Sequence, residues 1–149
     1  MSSKRELITQ NIVDTLKNQQ TARFGTITRD PGIELQDLAA TAFPAVVIES
    51  GNEERTSITQ GGLTQTRESF MDVNISVWTN SNSRVDTLRN SLIESVEELL
   101  DADPTRGGYA LDTQLVSVVT NNNETAPYFA MGMTFQIRYL YFKYVILLL

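Results

Sequence analysis

Residues 129–141 read FAMGMTFQIRYLY, and their alternation decides the fold class. Phe129, Met131, Met133, Phe135, Ile137, Tyr139 and Tyr141 take every second position, opposite Ala130, Gly132, Thr134, Gln136 and Arg138. Successive side chains of a strand point to opposite faces, so this spacing predicts one face in a core and one meeting water or another subunit. Met71, Val73, Ile75 and Val77 alternate with Asp72, Asn74, Ser76 and Trp78 in the same way. Between these strands the period changes. Val85, Leu88, Leu92, Val96 and Leu99 line one side of a helix over residues 84–101, with Ile93 and Leu100 flanking. Ser83 and Asp86 have the spacing of a capping box, and Asp103-Pro104 with Gly107-Gly108 ends the helix.

Working outward, Leu7, Ile8, Ile12 and Leu16 predict a first helix over residues 4–18, with Ser3 and Glu6 as its capping box. Residues 22–29 suggest a strand, Asp30-Pro31-Gly32 a turn, and residues 35–42 a short helix or an irregular link. Residues 43–49, FPAVVIE, form a short apolar run expected of a strand buried on both faces, ended by Gly51-Asn52. Residues 111–119 carry apolar side chains at both parities, and Asn121-Asn122-Asn123 reads as a turn before the last strand. Residues 53–68 are polar around Gly61-Gly62 and predict a hairpin. About seven residues per strand would carry such an arm roughly 23 Å outward. The expected architecture is α+β: a mainly antiparallel, mixed sheet, two amphipathic helices packed on one face, and a protruding β-hairpin arm. One domain is expected over residues 1–149, with residues 142–149 as a C-terminal extension.

Composition limits the chemistry. The chain has no cysteine and no histidine, which excludes thiolate and imidazole nucleophiles, bases and metal ligands. Its net charge of -6 and the lone basic pair Lys4-Arg5, followed at once by Glu6, disfavour tight binding to a nucleic-acid backbone. The first ten residues lack a signal-peptide apolar segment, and the apolar run at 145–149 is too short to span a membrane, so no membrane partner is expected. Glu97, Glu98, Asp101 and Asp103 could serve a carboxylate-based metal hydrolase, the remote alternative, or simply form a solvated helix end. Residues 101–107, DADPTRG, lack the spacing of a calcium loop and read as a turn. The glycine pairs fit no phosphate-binding loop. Phe129, Phe135, Tyr139, Tyr141, Phe142 and Tyr144 lack the interleaved basic residues of a base-stacking platform and read as core or subunit packing. The residues therefore predict no enzyme, no cofactor and no metal.

Several short stretches occur in a recognisable order. Residues 43–51, FPAVVIESG, are followed by Val73-Asn74-Ile75-Ser76-Val77-Trp78 before a helix. Then come residues 99–104, LLDADP, with Gly107-Gly108 and Ala110-Leu111-Asp112, and finally residues 133–139, MTFQIRY. Over residues 4–141 the chain resembles the tail terminator, or tail completion, proteins of tailed bacteriophages. That resemblance implies a structural virion protein, assembled in the host cytoplasm, forming a hexameric ring at the head-proximal end of the tail. Such a ring caps the tail tube, stops its polymerisation and offers a surface for head-tail joining. Implied partners are other copies of the chain, the tail tube protein, a neck or head-closure connector protein and, in a contractile tail, the sheath protein. DNA would cross the lumen without specific binding, helped by the acidic charge. A head-closure or neck adaptor, or another ring component, is the alternative. Glu53, Glu54, Arg55, Arg67 and Glu68 are expected to set the register of arm contacts with the tube or a neighbouring subunit. Tyr141, Phe142 and Tyr144 are expected to lead a C-terminal run that packs on a neighbour or extends the last strand.

Overall fold

Residues 3–18, 24–30, 38–58, 64–80, 84–120 and 129–144 are described in the computed structural model, with backbone only at Ala40, Thr64, Lys143 and Tyr144. Helix α1 (Lys4–Lys17) starts at Ser3, whose hydroxyl accepts the Glu6 backbone N–H at 3.1 Å. The predicted capping box is only half made. The Glu6 carboxylate takes Nη1 and Nη2 of Arg29, a two-pronged charged contact stronger than the neutral Ser3 N–H could offer. The apolar stripe Ile8, Ile12, Val13 and Leu16 is buried.

A five-stranded sheet follows from the two alternating stretches. Strands β1 (Thr26–Thr28), β2 (Ala45–Ser57), β3 (Thr64–Thr79), β4 (Asp112–Thr120) and β5 (Phe129–Tyr144) are ordered β1-β2-β3-β5-β4. The β1–β2 pair is parallel and the other pairs are antiparallel. Helix α2 (Val85–Asp101) packs beside α1 on the same face, so the fold is α+β with a mixed sheet. Met71, Val73, Ile75 and Val77 on β3 stand opposite Ile137, Phe135, Met133 and Met131 on β5. These residues, with Val46 and Ile48 of β2 and Leu92, Val96 and Leu100 of α2, form the core. Burial of each such side chain contributes about 1.5–3 kcal/mol. Ala45 and Val47, on the opposite face of β2, are also buried, as the unbroken apolar run required.

Three expectations change. Of the predicted strand at 22–29, Thr26–Thr28 pair with Ala45–Val47, while residues 19–23 and the turn at Pro31-Gly32 lie outside the described residues. Gly51-Asn52 does not end β2. The register shifts between Ser50 and Glu53, and the strand continues to Ser57. A Cβ on Gly51 would lie 2.8 Å from Asn74 Nδ2 and 3.0 Å from the Asp72 carbonyl, so the glycine lets the bulge press against β3. Helix α2 is preceded by Arg84 in a left-handed conformation, with no side-chain cap, and Ser83 lies outside the described residues. The short link is partly a 3-10 turn, Ala40–Ala42, and β2 enters through a cis Phe43–Pro44 bond.

Candidate assembly interface

The sheet outruns its helices at one end. β2 stays paired with β3 as far as Ser57 opposite Arg67, and the Ile58 N–H reaches the Thr66 carbonyl at 2.9 Å. β5 accompanies β3 along its whole length, from Thr79 opposite Phe129 to Thr64 opposite Tyr144. β4 meets β5 only from Arg138, opposite Asp112, so β5 runs on past it for about 20 Å at 3.3 Å per residue. The arm is thus three-stranded rather than a free hairpin, because β5 continues beyond Tyr141 and stays paired with β3 to Tyr144. Its tip, including Gly61-Gly62, lies outside the described residues.

A polar cluster ties the base of the arm to α1. Glu53 has a side chain only 7% exposed and stands on the helix-side face opposite Met71. Its Oε1 accepts Arg5 Nη1 at 3.2 Å and the Tyr139 hydroxyl at 2.8 Å, and its Oε2 accepts Arg55 Nε. Arg5 Nη2 also donates to the Gly51 carbonyl at 2.5 Å, and Lys4 Nζ to the Leu140 carbonyl at 2.6 Å. The Arg55 guanidinium sits 4.9 Å from the centre of the Tyr141 ring, which packs 5.9 Å from that of Tyr139. Burial pushes the Glu53 carboxyl up, but hydrogen bonds from Arg55, Tyr139 and Arg5 outweigh it and hold the group below its ordinary value. Burial, then the facing Glu53 charge, pushes the Tyr139 phenol up. Pairing with Glu53 keeps Arg55 charged. Beside this cluster, Arg67 Nε and the Tyr141 hydroxyl are buried without a hydrogen-bond partner among the described residues.

The opposite face differs. Arg138 Nε and Nη2 donate to Glu68 Oε2 at 2.8 and 2.6 Å. Phe142, opposite Thr66, is 67% exposed, and Glu54, exposed on β2, stands opposite Phe70, which in turn faces Arg138. A shallow cleft of about 220 Å³ is lined by Asn52, Glu53, Glu54, Phe70, Asp72 and Gln136. The expected residues therefore divide between faces. Glu53, Arg55, Arg67 and Tyr141 share the helix side, Glu54, Glu68 and Phe142 share the other, and Tyr144 continues the β5 ladder at Thr64.

The acids that prompted a metal reading do other work or face water. Asp103 accepts the Thr105 N–H at 3.0 Å, the Thr105 hydroxyl at 2.6 Å and the Gly107 N–H at 2.8 Å, which closes the turn and holds its carboxyl below the usual range. Glu98 and Asp101 are exposed. Among the described residues no group of three or more acidic side chains is arranged to hold a metal ion. Acidic side chains at a helix C-terminus oppose its dipole, and at the end of α2 the positive charge of Arg106 counters them. Arg106 is fully buried and donates through Nη2 to the Leu100 and Asp103 carbonyls.

Sequence reasoning missed Arg5, Tyr139 and Arg106 as organising residues. Arg5 belonged to the only basic pair and Tyr139 to the alternation, but 48 and 86 positions separate them from Glu53, and only the folded sheet joins them.

No protein-family model matches the chain, and no curated protein is similar to it in sequence. The fold is similar to that of a chain in a solved structure described as "Virion of native gene transfer agent (GTA) particle". The TM-score is 0.63 at 12% sequence identity, over 94% of this chain and 99% of that one. A TM-score of this size over nearly the whole of both chains, at so low an identity, shows a common fold.

Proposed function

We propose that this chain is a structural virion protein whose copies form a ring, of six by the tail-terminator resemblance, at the head-proximal end of a phage tail. There it caps the tube, stops polymerisation and presents a surface for joining the head. The observation that carries this reading is the three-stranded arm tied at its base to α1 by the Arg5–Glu53–Tyr139 cluster. A polar arm anchored in this way fits a contact that must form in one register on a repeating tube surface, because charged groups set register more than raw affinity. The likeness to a chain of a gene transfer agent virion supports the same setting. In this reading the proposed partners are further copies, the tube protein and a connector protein, and the negative charge suits a lumen that DNA must cross without sticking.

The test is electron microscopy of particles assembled without the protein. A terminator leaves tails longer than normal and unjoined to heads. Tails of normal length beside heads that have lost their DNA would instead identify a head-closure component, and normal joined particles would refute both.

A further inference from the structure

β4 is the open edge of the sheet, and among the described residues no strand pairs with its outer side. Residues 113–120 contain no charged residue, no proline and no glycine, the usual guards of an exposed edge. Val116, Val118 and Val119 are 51%, 42% and 60% exposed. Val118 stands on the helix side, opposite Met133, and Val119 on the other, opposite Gly132. A segment that covered this edge would be extended, uncharged and apolar on both faces.

The sequence holds one such segment beyond the last described residue of β5. Residues 145–149, VILLL, are wholly apolar, while every other internal stretch outside the described residues includes polar or charged side chains. This segment cannot reach its own β4. It begins after Tyr144, which lies about 20 Å beyond the β4 end marked by Asp112 opposite Arg138. Five residues span at most about 17 Å when fully extended.

We infer that residues 145–149 of one copy add a strand to the β4 edge of the next. The contact is head-to-tail, since a donor segment meets a different acceptor surface, and such contacts generate rings when their rotation closes. Main-chain hydrogen bonds supply affinity, and the valines on both faces select an apolar strand. The inference rests on the proposal that the protein works as an assembly of its own copies.

The absence of native cysteine gives a direct test. Chains carrying Val118→Cys are mixed with an equal amount carrying Leu147→Cys, at high protein concentration, and mildly oxidised. The mixed disulfide between the two chains is expected to exceed both homodimers, and adding Val119→Lys to the acceptor is expected to lower its yield at least tenfold. Val118 and Val119 are exposed, so the fold tolerates both changes, and melting curves check this. Predominant Val118→Cys homodimers would show edge-to-edge pairing of two β4 strands and overturn the inference. So would an intramolecular bond in the doubly substituted chain at high dilution, or a yield no higher than that of a Lys17→Cys control. The cross-link reads contact between copies and tail length reads the role, so either can fail without the other.

Discussion

The Glu53 carboxylate is the most heavily committed side chain at the arm base, taking donors from α1, β2 and β5. Glu53→Gln keeps the size and removes the charge. It is expected to lower stability at pH 7 by about 1.5–3 kcal/mol, the scale of hydrogen bonds to a charged group, as read by thermal melts. The pH dependence has a fixed sign. The folded carboxyl is held below its ordinary value, so its contribution is complete above the unfolded value of about 4.3 and is lost as pH falls through the lower folded value. The stability gap between wild type and Glu53→Gln should therefore narrow as pH drops below about 4. Arg106 makes a second residue-scale prediction. Arg106→Ala leaves the Leu100 and Asp103 carbonyls without their donor and opens a cavity, and is expected to cost about 2–4 kcal/mol in chemical denaturation. Neither role is visible in sequence. Arg106 sits in a turn among acids, where a solvated arginine is the ordinary expectation, and only the exposed carbonyls ending α2 give its burial a reason.

At the scale of elements, the periodic stretches were legible and the irregular ones were not. The alternation at 71–78 and 129–141 predicts β3 and β5 because a half-buried strand must sort its side chains by face. The helical spacing at 85–99 predicts α2 for the matching reason. Gly51-Asn52 misled because a glycine pair with asparagine usually marks a turn, whereas here the missing Cβ admits a bulge. Gly51→Ala accordingly forces Asn74 or the Asp72 backbone to shift and is expected to destabilise by about 1–3 kcal/mol, with loss of amide protection concentrated around residues 50–53. The sequence left the run beyond Tyr141 open between packing on a neighbour and extending the last strand, and residues 142–144 take the second course by pairing with β3 as the arm's third strand. Replacing residues 57–67 by a two-residue Asn-Gly turn that joins Thr56 to its partner Glu68 should leave the core and the melting temperature nearly unchanged. The shortened protein is expected to lose binding to purified tail tubes in a co-sedimentation assay. Full binding would remove the arm from the interface.

In the whole molecule, which carries neither imidazole nor thiol, the large apolar side chains exposed among the described residues lie on the arm, on β4 and in the turn before it. The arm, with Phe142 on one face and the Glu53 cluster on the other, and the valine-lined β4 edge are separate surfaces on a single sheet. A subunit with two distinct contact surfaces can bind its neighbour through one and a different partner through the other, which a capping ring requires. The fold class was readable from the sequence because burial imposes periodicity. The partners were not, since nothing in a chain's own pattern records what covers its exposed edges. The most direct measurement is a reconstruction of the intact virion at side-chain resolution. The account predicts this chain as a ring between the portal complex and the tail shaft, with the arm of residues 53–68 against the uppermost tube ring. Density for the chain anywhere else in the particle would contradict it.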